Sequence, residues 1–227
     1  MGLASGFLLV MAVGVASADV NSSVLQAQST ENVPVELAPA VVVAAGADSI
    51  DVNAIARISA VHDDRISFGT GFQLDDGRVA TVAHALVDAR SVRFGNPGDA
   101  VEFQEPNRNP NVAITRLHDV ATLDAAPLPG ALPVADQAAT IGQSVALAGI
   151  PEDGRIHVLT GEIIGRSDGA SYGIGRPDVY AISASVDVGY SGGPVVNAAG
   201  EVVAIIVGSE TRSGVTLAVP IEHLPVN

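Results

Sequence analysis

From about residue 48 onward the apolar positions gather into short runs and never form a long stripe at helical spacing. Such runs occupy Ala54 to Val61, Val79 to Ala83, Val112 to Leu117, Val145 to Ile150, Ile156 to Ile164, Val179 to Val186, Val202 to Val207 and Val215 to Val219. Turn signals separate many of them: Asp75-Asp76-Gly77, Asn96-Pro97-Gly98 and Glu152-Asp153-Gly154. Closely spaced runs rich in Val and Ile predict an all-β barrel or sandwich. Short helical turns are expected only after His84 and near Ile221 to Leu224. Residues 126 to 136 carry Pro127, Pro129, Gly130 and Pro133; prolines cannot continue a central strand. The stretch 126–138 therefore reads as a connector between an N-terminal unit, 48–125, and a C-terminal unit, 139–227.

The first residues follow a different pattern. Residues 2 to 18 are uncharged and largely apolar and end in Ala16-Ser17-Ala18. Small residues at Ala16 and Ala18 suit a signal-peptidase site, so residues 1–18 are expected to be a signal peptide with Asp19 the first mature residue. Only the terminal amine supplies positive charge before Phe7, and a retained membrane anchor is the competing reading. Export, to the periplasm or outside the cell, is expected either way, with no stable membrane association after removal of the segment. Residues 19–47 have no clear periodicity and read as a linker or pro-segment, in which Val41-Val42-Val43 suits an edge strand. The sequon at Asn21 is taken as chance.

Composition narrows the classes. The chain has 227 residues, 48% of them hydrophobic, no Trp and no Cys. A core must be filled by Val, Ile, Leu and Ala, and neither disulfides nor thiol chemistry are available. The formal charge is −14, and all 11 basic residues are arginine. Phosphate would be repelled, so nucleic acid is not an expected partner. No phosphate loop, paired-His zinc motif or calcium loop is present, and no metal or other cofactor is expected. The pairs Asp63-Asp64 and Asp75-Asp76 read as turn residues.

The candidate chemistry lies in Gly189-Tyr190-Ser191-Gly192-Gly193-Pro194. A serine among glycines has little side-chain bulk around its hydroxyl, and the glycines permit close approach of another chain. Upstream, His84 follows the apolar run Thr81-Val82-Ala83, and Asp119 opens Asp119-Val120-Ala121. In the order His84, Asp119, Ser191 these supply a base, its orienting carboxylate and a nucleophile, the order of chymotrypsin-type serine proteases. Gly189-x-Ser191-x-Gly193 also fits the nucleophile elbow of α/β-hydrolases, but that motif needs a helix after the serine and its acid and base later in the chain. Here a strand, a turn and another strand follow, and no aspartate does. The remaining histidines, His62, His118, His157 and His223, read as surface or packing residues, with His118 facing solvent or the barrel surface.

Taken together, these pieces resemble the trypsin-like superfamily, and within it the HtrA/Deg-like bacterial branch. The resemblance rests on Phe68-Gly69-Thr70-Gly71-Phe72, on Gly77 to His84, on Asp119-Val120-Ala121, on Leu159-Thr160-Gly161-Glu162, on Asp187 to Asn197 and on Leu217-Ala218-Val219-Pro220. It covers roughly residues 54 to 224. It implies two six-stranded antiparallel β-barrels with the site in the cleft between them, and a serine endopeptidase that cuts polypeptides through an acyl-enzyme. By the same resemblance the backbone N–H groups of Gly189 and Ser191 would form the oxyanion hole. Ser185 would sit at the base of the primary pocket, where the lack of a carboxylate argues against Arg or Lys preference. Ile206, Val207 and Gly208 would border the pocket and offer backbone to an extended substrate. The loop Ser167 to Asp178 would border the cleft. With the chain ending at residue 227, no PDZ domain is expected, and peptide sensing is not carried over. Tyr190 stands where zymogen-activated trypsins have aspartate, so activation by the trypsin-type salt bridge is not expected. A catalytically silent binding module on the same fold is the alternative, and an esterase would share the chemistry. Oligomeric state is not legible.

Overall fold

The computed structural model describes residues 14–16, 41–43, 49–95, 100–125, 127–172, 174–210 and 213–225, the first two segments by backbone alone. Both of those segments are short strands, β1 (Gly14–Ala16) and β2 (Val41–Val43). The first large sheet comprises β3 (Ile55–Val61), β4 (Ile66–Gln73), β5 (Val79–Val82), β6 (Ser91–Phe94), β7 (Val101–Gln104), β8 (Val112–Thr115) and β9 (Val120–Leu123). The second comprises β10 (Ser144–Gly149), β11 (Ile156–Ser167), β12 (Val179–Ile182), β13 (Pro194–Val196), β14 (Val202–Glu210) and β15 (Val215–Pro220). Among the described residues the only helical elements are short 3-10 turns, two of them at Ala83–Ala85 and Ile221–His223, the places expected.

Both sheets are antiparallel apart from the added β2. The C-terminal one runs β10-β13-β14-β15-β12-β11 and closes through β10–β11 pairing into a six-stranded barrel, with β2 parallel to β11 along its outside. The N-terminal one runs β7-β6-β3-β4-β5-β9-β8, a strongly curled seven-strand half-barrel on which β1 pairs with β4. The all-β, two-barrel, chymotrypsin-like architecture is thus as expected; the N-terminal strand count and closure differ. The extra ladder is β6–β7, whose sequences Ser-Val-Arg-Phe and Val-Glu-Phe-Gln alternate apolar with polar residues, the polar ones exposed except Ser91. A period-two pattern only four residues long leaves no apolar run to notice.

Local chemistry accounts for the hairpins. The β4–β5 turn closes with Leu74 N–H donating to Arg78 O at 2.7 Å, while the Asp76 side chain accepts from Arg78 N–H at 3.0 Å. Gly77 takes φ +90°, a conformation glycine adopts without penalty. The connector touches both sheets: Leu132 bridges to Leu74 in the first, and Val134 to Val202 in the second.

The apolar interior is not divided between the barrels. One buried cluster joins Ile58, Phe72 and Val120 of the first sheet to Ile205, Leu217 and Val219 of the second. Another fills the closed barrel around Leu147, Ile163, Tyr180, Tyr190 and Ile206. Burying one such side chain contributes about 1.5–3 kcal/mol, so the shared cluster ties the two sheets together. The site lies along this seam.

Candidate active site

Asp119 ends the turn between β8 and β9 with φ 62°, a left-handed conformation that aspartate tolerates better than most residues. Its carbonyl accepts from Ala83 N–H at 3.0 Å, which locks that turn to the 3-10 turn bearing His84. Its carboxylate then takes His84 twice: Oδ1 accepts the backbone N–H at 2.7 Å and Oδ2 meets the ring Nδ1 at 2.6 Å. Two contacts to one residue fix both the position of the imidazole and its face. With Nδ1 bound to a carboxylate, the proton sits there and Nε2 is left as the acceptor. His84 Nε2 is buried and has no hydrogen-bond partner.

Asp119 is only 2% exposed, and a third donor reaches it: Nη2 of Arg176 lies 2.6 Å from the same Oδ2. Burial alone pushes the Asp119 carboxyl up, but the hydrogen bonds and charges of His84 and Arg176 outweigh it and hold it below its ordinary value.

Ser191 sits in the turn leading into β13, bolted to the other sheet. Its carbonyl accepts from Thr70 N–H at 2.8 Å. Thr70 Oγ1 donates to Gly189 O at 2.7 Å and accepts from Ile150 N–H at 2.8 Å, while Thr81 Oγ1 donates to Thr70 O at 2.8 Å. β4 therefore sets the backbone of the serine turn. Gly192 has φ +87°, and a Cβ there would strike Thr70 O and Thr81 Oγ1. Gly189 has φ +102°, and a Cβ there would strike Ile150 O. Among the described residues no acceptor engages the N–H of Gly189 or of Ser191. Ser191 Oγ is buried without a partner, as is His84 Nε2, and no hydrogen bond joins the two. The aspartate–histidine half of the constellation is closed, and the serine–histidine half is open.

A family model described as a trypsin-like peptidase domain matches residues 69–205, a span that contains His84, Asp119 and Ser191. The chain belongs to the trypsin-like peptidase family. This trypsin-like chain is 32% identical over 169 residues to mitochondrial serine protease HTRA2 of Bos taurus, covering 70% of this chain and 35% of that protein. It is 32% identical over 148 residues to serine protease Rv3671c of Mycobacterium tuberculosis, covering 62% and 36%. It thus spans about a third of the length of these curated relatives. In fold it is similar to the active form of the Rv3671c protease, with TM-score 0.65, 24% identity and coverage of 88% and 90%. It is also similar to the HtrA-type protease AlgW with a tripeptide, with TM-score 0.63, 21% identity and coverage of 78% and 60%.

The residues expected to meet substrate divide. Ile206 is fully buried; its N–H donates to Gly193 O at 2.9 Å and its C=O accepts from Gly192 N–H at 2.8 Å. Both backbone groups are engaged by the serine turn, so Ile206 anchors that turn. Val207 occupies the bulge between Ile206 and Gly208 in the β14–β15 ladder, and a Cβ on Gly208 would meet nothing within 4 Å. Ser185 is exposed, and the Cβ position of Gly214 lies 4.0 Å from its Cβ.

His118 is half-buried on the barrel surface, its ring stacked on His223 with centroids 3.8 Å apart and planes within 6°. His223 Nε2 in turn meets Asp178 Oδ2 at 2.8 Å. His157 pairs with Asp153 at 2.8 Å, and buried His62 with Ser67 Oγ at 2.9 Å. Asp178, Glu222 and His223 offer three donor atoms within 4.8 Å of one another. Arg166 Nη2 lies 2.6 Å from both carboxylates, so an arginine already supplies the cation there.

Sequence reasoning missed Thr70 as the bolt between the sheets and Arg176 as a partner of Asp119. Thr70 lies inside a segment read only as part of the family resemblance. No spacing rule points from Arg176 to residue 119.

Proposed function

We propose that the chain is an exported serine endopeptidase that hydrolyses peptide bonds through His84, Asp119 and Ser191. The observation that carries this reading is the double grip of Asp119 on His84, which leaves the buried, unpaired Nε2 as the nitrogen that can accept a proton. Ser191 Oγ is the unpaired hydroxyl available to it. The serine oxygen adds to the substrate carbonyl while its proton passes to His84 Nε2. Asp119 stabilises the resulting imidazolium, and the N–H groups of Gly189 and Ser191 receive the oxyanion. The C–N bond then breaks as His84 returns the proton to the leaving amine. Water, deprotonated by the same histidine, cleaves the acyl-enzyme. No residue in this sequence of steps requires a metal.

One observation keeps a second reading, a silent binding module, beside the first: no hydrogen bond joins Ser191 to His84. Reacting groups in ligand-free sites of this type are often looser than in the working complex, so the open contact is compatible with both. A fluorophosphonate probe separates them. Labelling of the wild type but not of Ser191→Ala is the expected result; a folded wild type that stays unlabelled across neutral pH refutes the enzyme. Export is part of the proposal, on the apolar residues 2–18 and the Ala16-Ser17-Ala18 end. A secreted or periplasmic product beginning at Asp19 by intact mass supports it.

A further inference from the structure

We propose that Arg176 is a positioning residue of this site: carried by the connection between β11 and β12, it clamps the Asp119 carboxylate against His84 and so orders the base that serves Ser191. The inference rests on the reading of Asp119 as the orienting carboxylate.

Hydrogen bonds among the described residues of the loop hold Arg176 in place. Asp168 caps the loop, its Oδ1 accepting from Ala170 N–H at 2.9 Å and its C=O from Ser171 N–H at 3.1 Å. Gly169 then closes it on both sides: its N–H donates to Arg176 O at 2.8 Å, and its C=O accepts from Ile174 N–H at 3.0 Å. A Cβ on Gly169 would lie 2.8 Å from Arg176 O, so the close approach requires glycine. The backbone of Arg176 is thereby fixed, and its guanidinium, with the side chain 19% exposed, arrives 2.6 Å from Asp119 Oδ2. Two residues on, Asp178 holds His223, and His223 stacks on His118, the neighbour of Asp119. The end of the loop therefore grips the aspartate turn at two points.

Two consequences follow for the chemistry. A carboxylate whose oxygens accept from His84 N–H, His84 Nδ1 and Arg176 has little freedom to rotate, and the imidazole it orients inherits that order. The arginine also shares the carboxylate's charge. Asp119 is faced by His84 from the 3-10 turn and by Arg176 from the loop; the His118–His223–Asp178 group flanks its turn. Removing the one permanent cation of this set leaves the carboxylate free to favour the imidazolium. Because linkage is reciprocal, loosening Asp119 must loosen the loop.

The test has two arms. In the first, kcat and KM on a peptide substrate are followed from pH 5 to 9 for the wild type, Arg176→Met and Arg176→Lys. Arg176→Met is expected to lower kcat about tenfold with KM little changed, and to move the acid limb up by about one pH unit; Arg176→Lys recovers most of both. An unmoved acid limb, or a rise in activity, overturns the proposal. In the second arm amide hydrogen exchange at Gly169, Ser171 and Ile174 is compared in Ser191→Ala with and without Asp119→Asn. Exchange about tenfold faster without the carboxylate is expected, and unchanged exchange overturns the clamp. This arm needs no turnover: if the wild type takes no probe the enzyme reading falls, and exchange alone decides the clamp.

Discussion

Thr70→Val is the sharpest test of how the two sheets build the site. The change is nearly isosteric, so it opens no cavity; it removes one hydroxyl. That hydroxyl is fully buried and makes two bonds, donating to Gly189 O at 2.7 Å and accepting from Ile150 N–H at 2.8 Å. Valine leaves both backbone groups without a partner. A buried polar group left unpaired costs about 1–3 kcal/mol, so two predict a loss of roughly 2–6 kcal/mol. The freed carbonyl belongs to the Gly189–Tyr190 peptide, which lies between the two proposed oxyanion donors, Gly189 N–H and Ser191 N–H, so the turn that aims both loses an anchor. Losing one such donor lowers the rate about 10²–10³-fold. The assay is paired: urea unfolding for stability, and probe labelling of the fraction still folded. Thr70→Ser keeps the oxygen and is expected to recover most of both. A Thr70→Val protein within about 0.5 kcal/mol of wild type that labels at the wild-type rate would refute the reasoning, because the hydroxyl would then be dispensable to both sheets.

Two further outcomes are expected. Gly192→Ala places a methyl against Thr70 O and Thr81 Oγ1 at φ +87°, and its labelling by the probe should fall below detection while circular dichroism remains β-type; normal labelling would count against the packed seam. Asp178 is held down to about 2, chiefly by hydrogen bonds from Arg166, whereas unfolded it titrates near about 3.9. The folded state binds fewer protons between these values, so the stabilisation is complete above about pH 4 and disappears as pH falls through about 2. Asp178→Asn should therefore be less stable than wild type at neutral pH and show a shallower decline between about pH 4 and 2; parallel acid-unfolding curves would contradict it.

Much of the scaffold could be read from the chain because its cause is local. Runs such as Val145 to Ile150 are buried on one barrel wall, and the Asp75-Asp76-Gly77 turn follows from glycine and aspartate chemistry. His84, Asp119 and Ser191 were legible because each sits in a short motif at the end of a strand. The features that escaped are contacts between segments far apart in sequence. The Thr70–Gly189 bond spans 119 positions. The ion pair from Arg176 to Asp119, and the stacking of His118 on His223, depend on how a loop and the last 3-10 turn of one barrel lie against a turn of the other. Ile206 shows a subtler limit: its place on β14 was foreseen, but which partner its backbone groups take is decided by the serine turn folding back upon it.

The apolar cluster shared by both sheets, together with the Thr70 bolt, also governs how the molecule comes apart. Neither barrel can melt first without exposing Ile205, Leu217 and Val219 or Ile58 and Phe72 to water. Calorimetry should then record one endotherm with equal calorimetric and van't Hoff enthalpies. Probe reactivity should vanish along the same curve, because the serine turn has no existence apart from the strand that holds it.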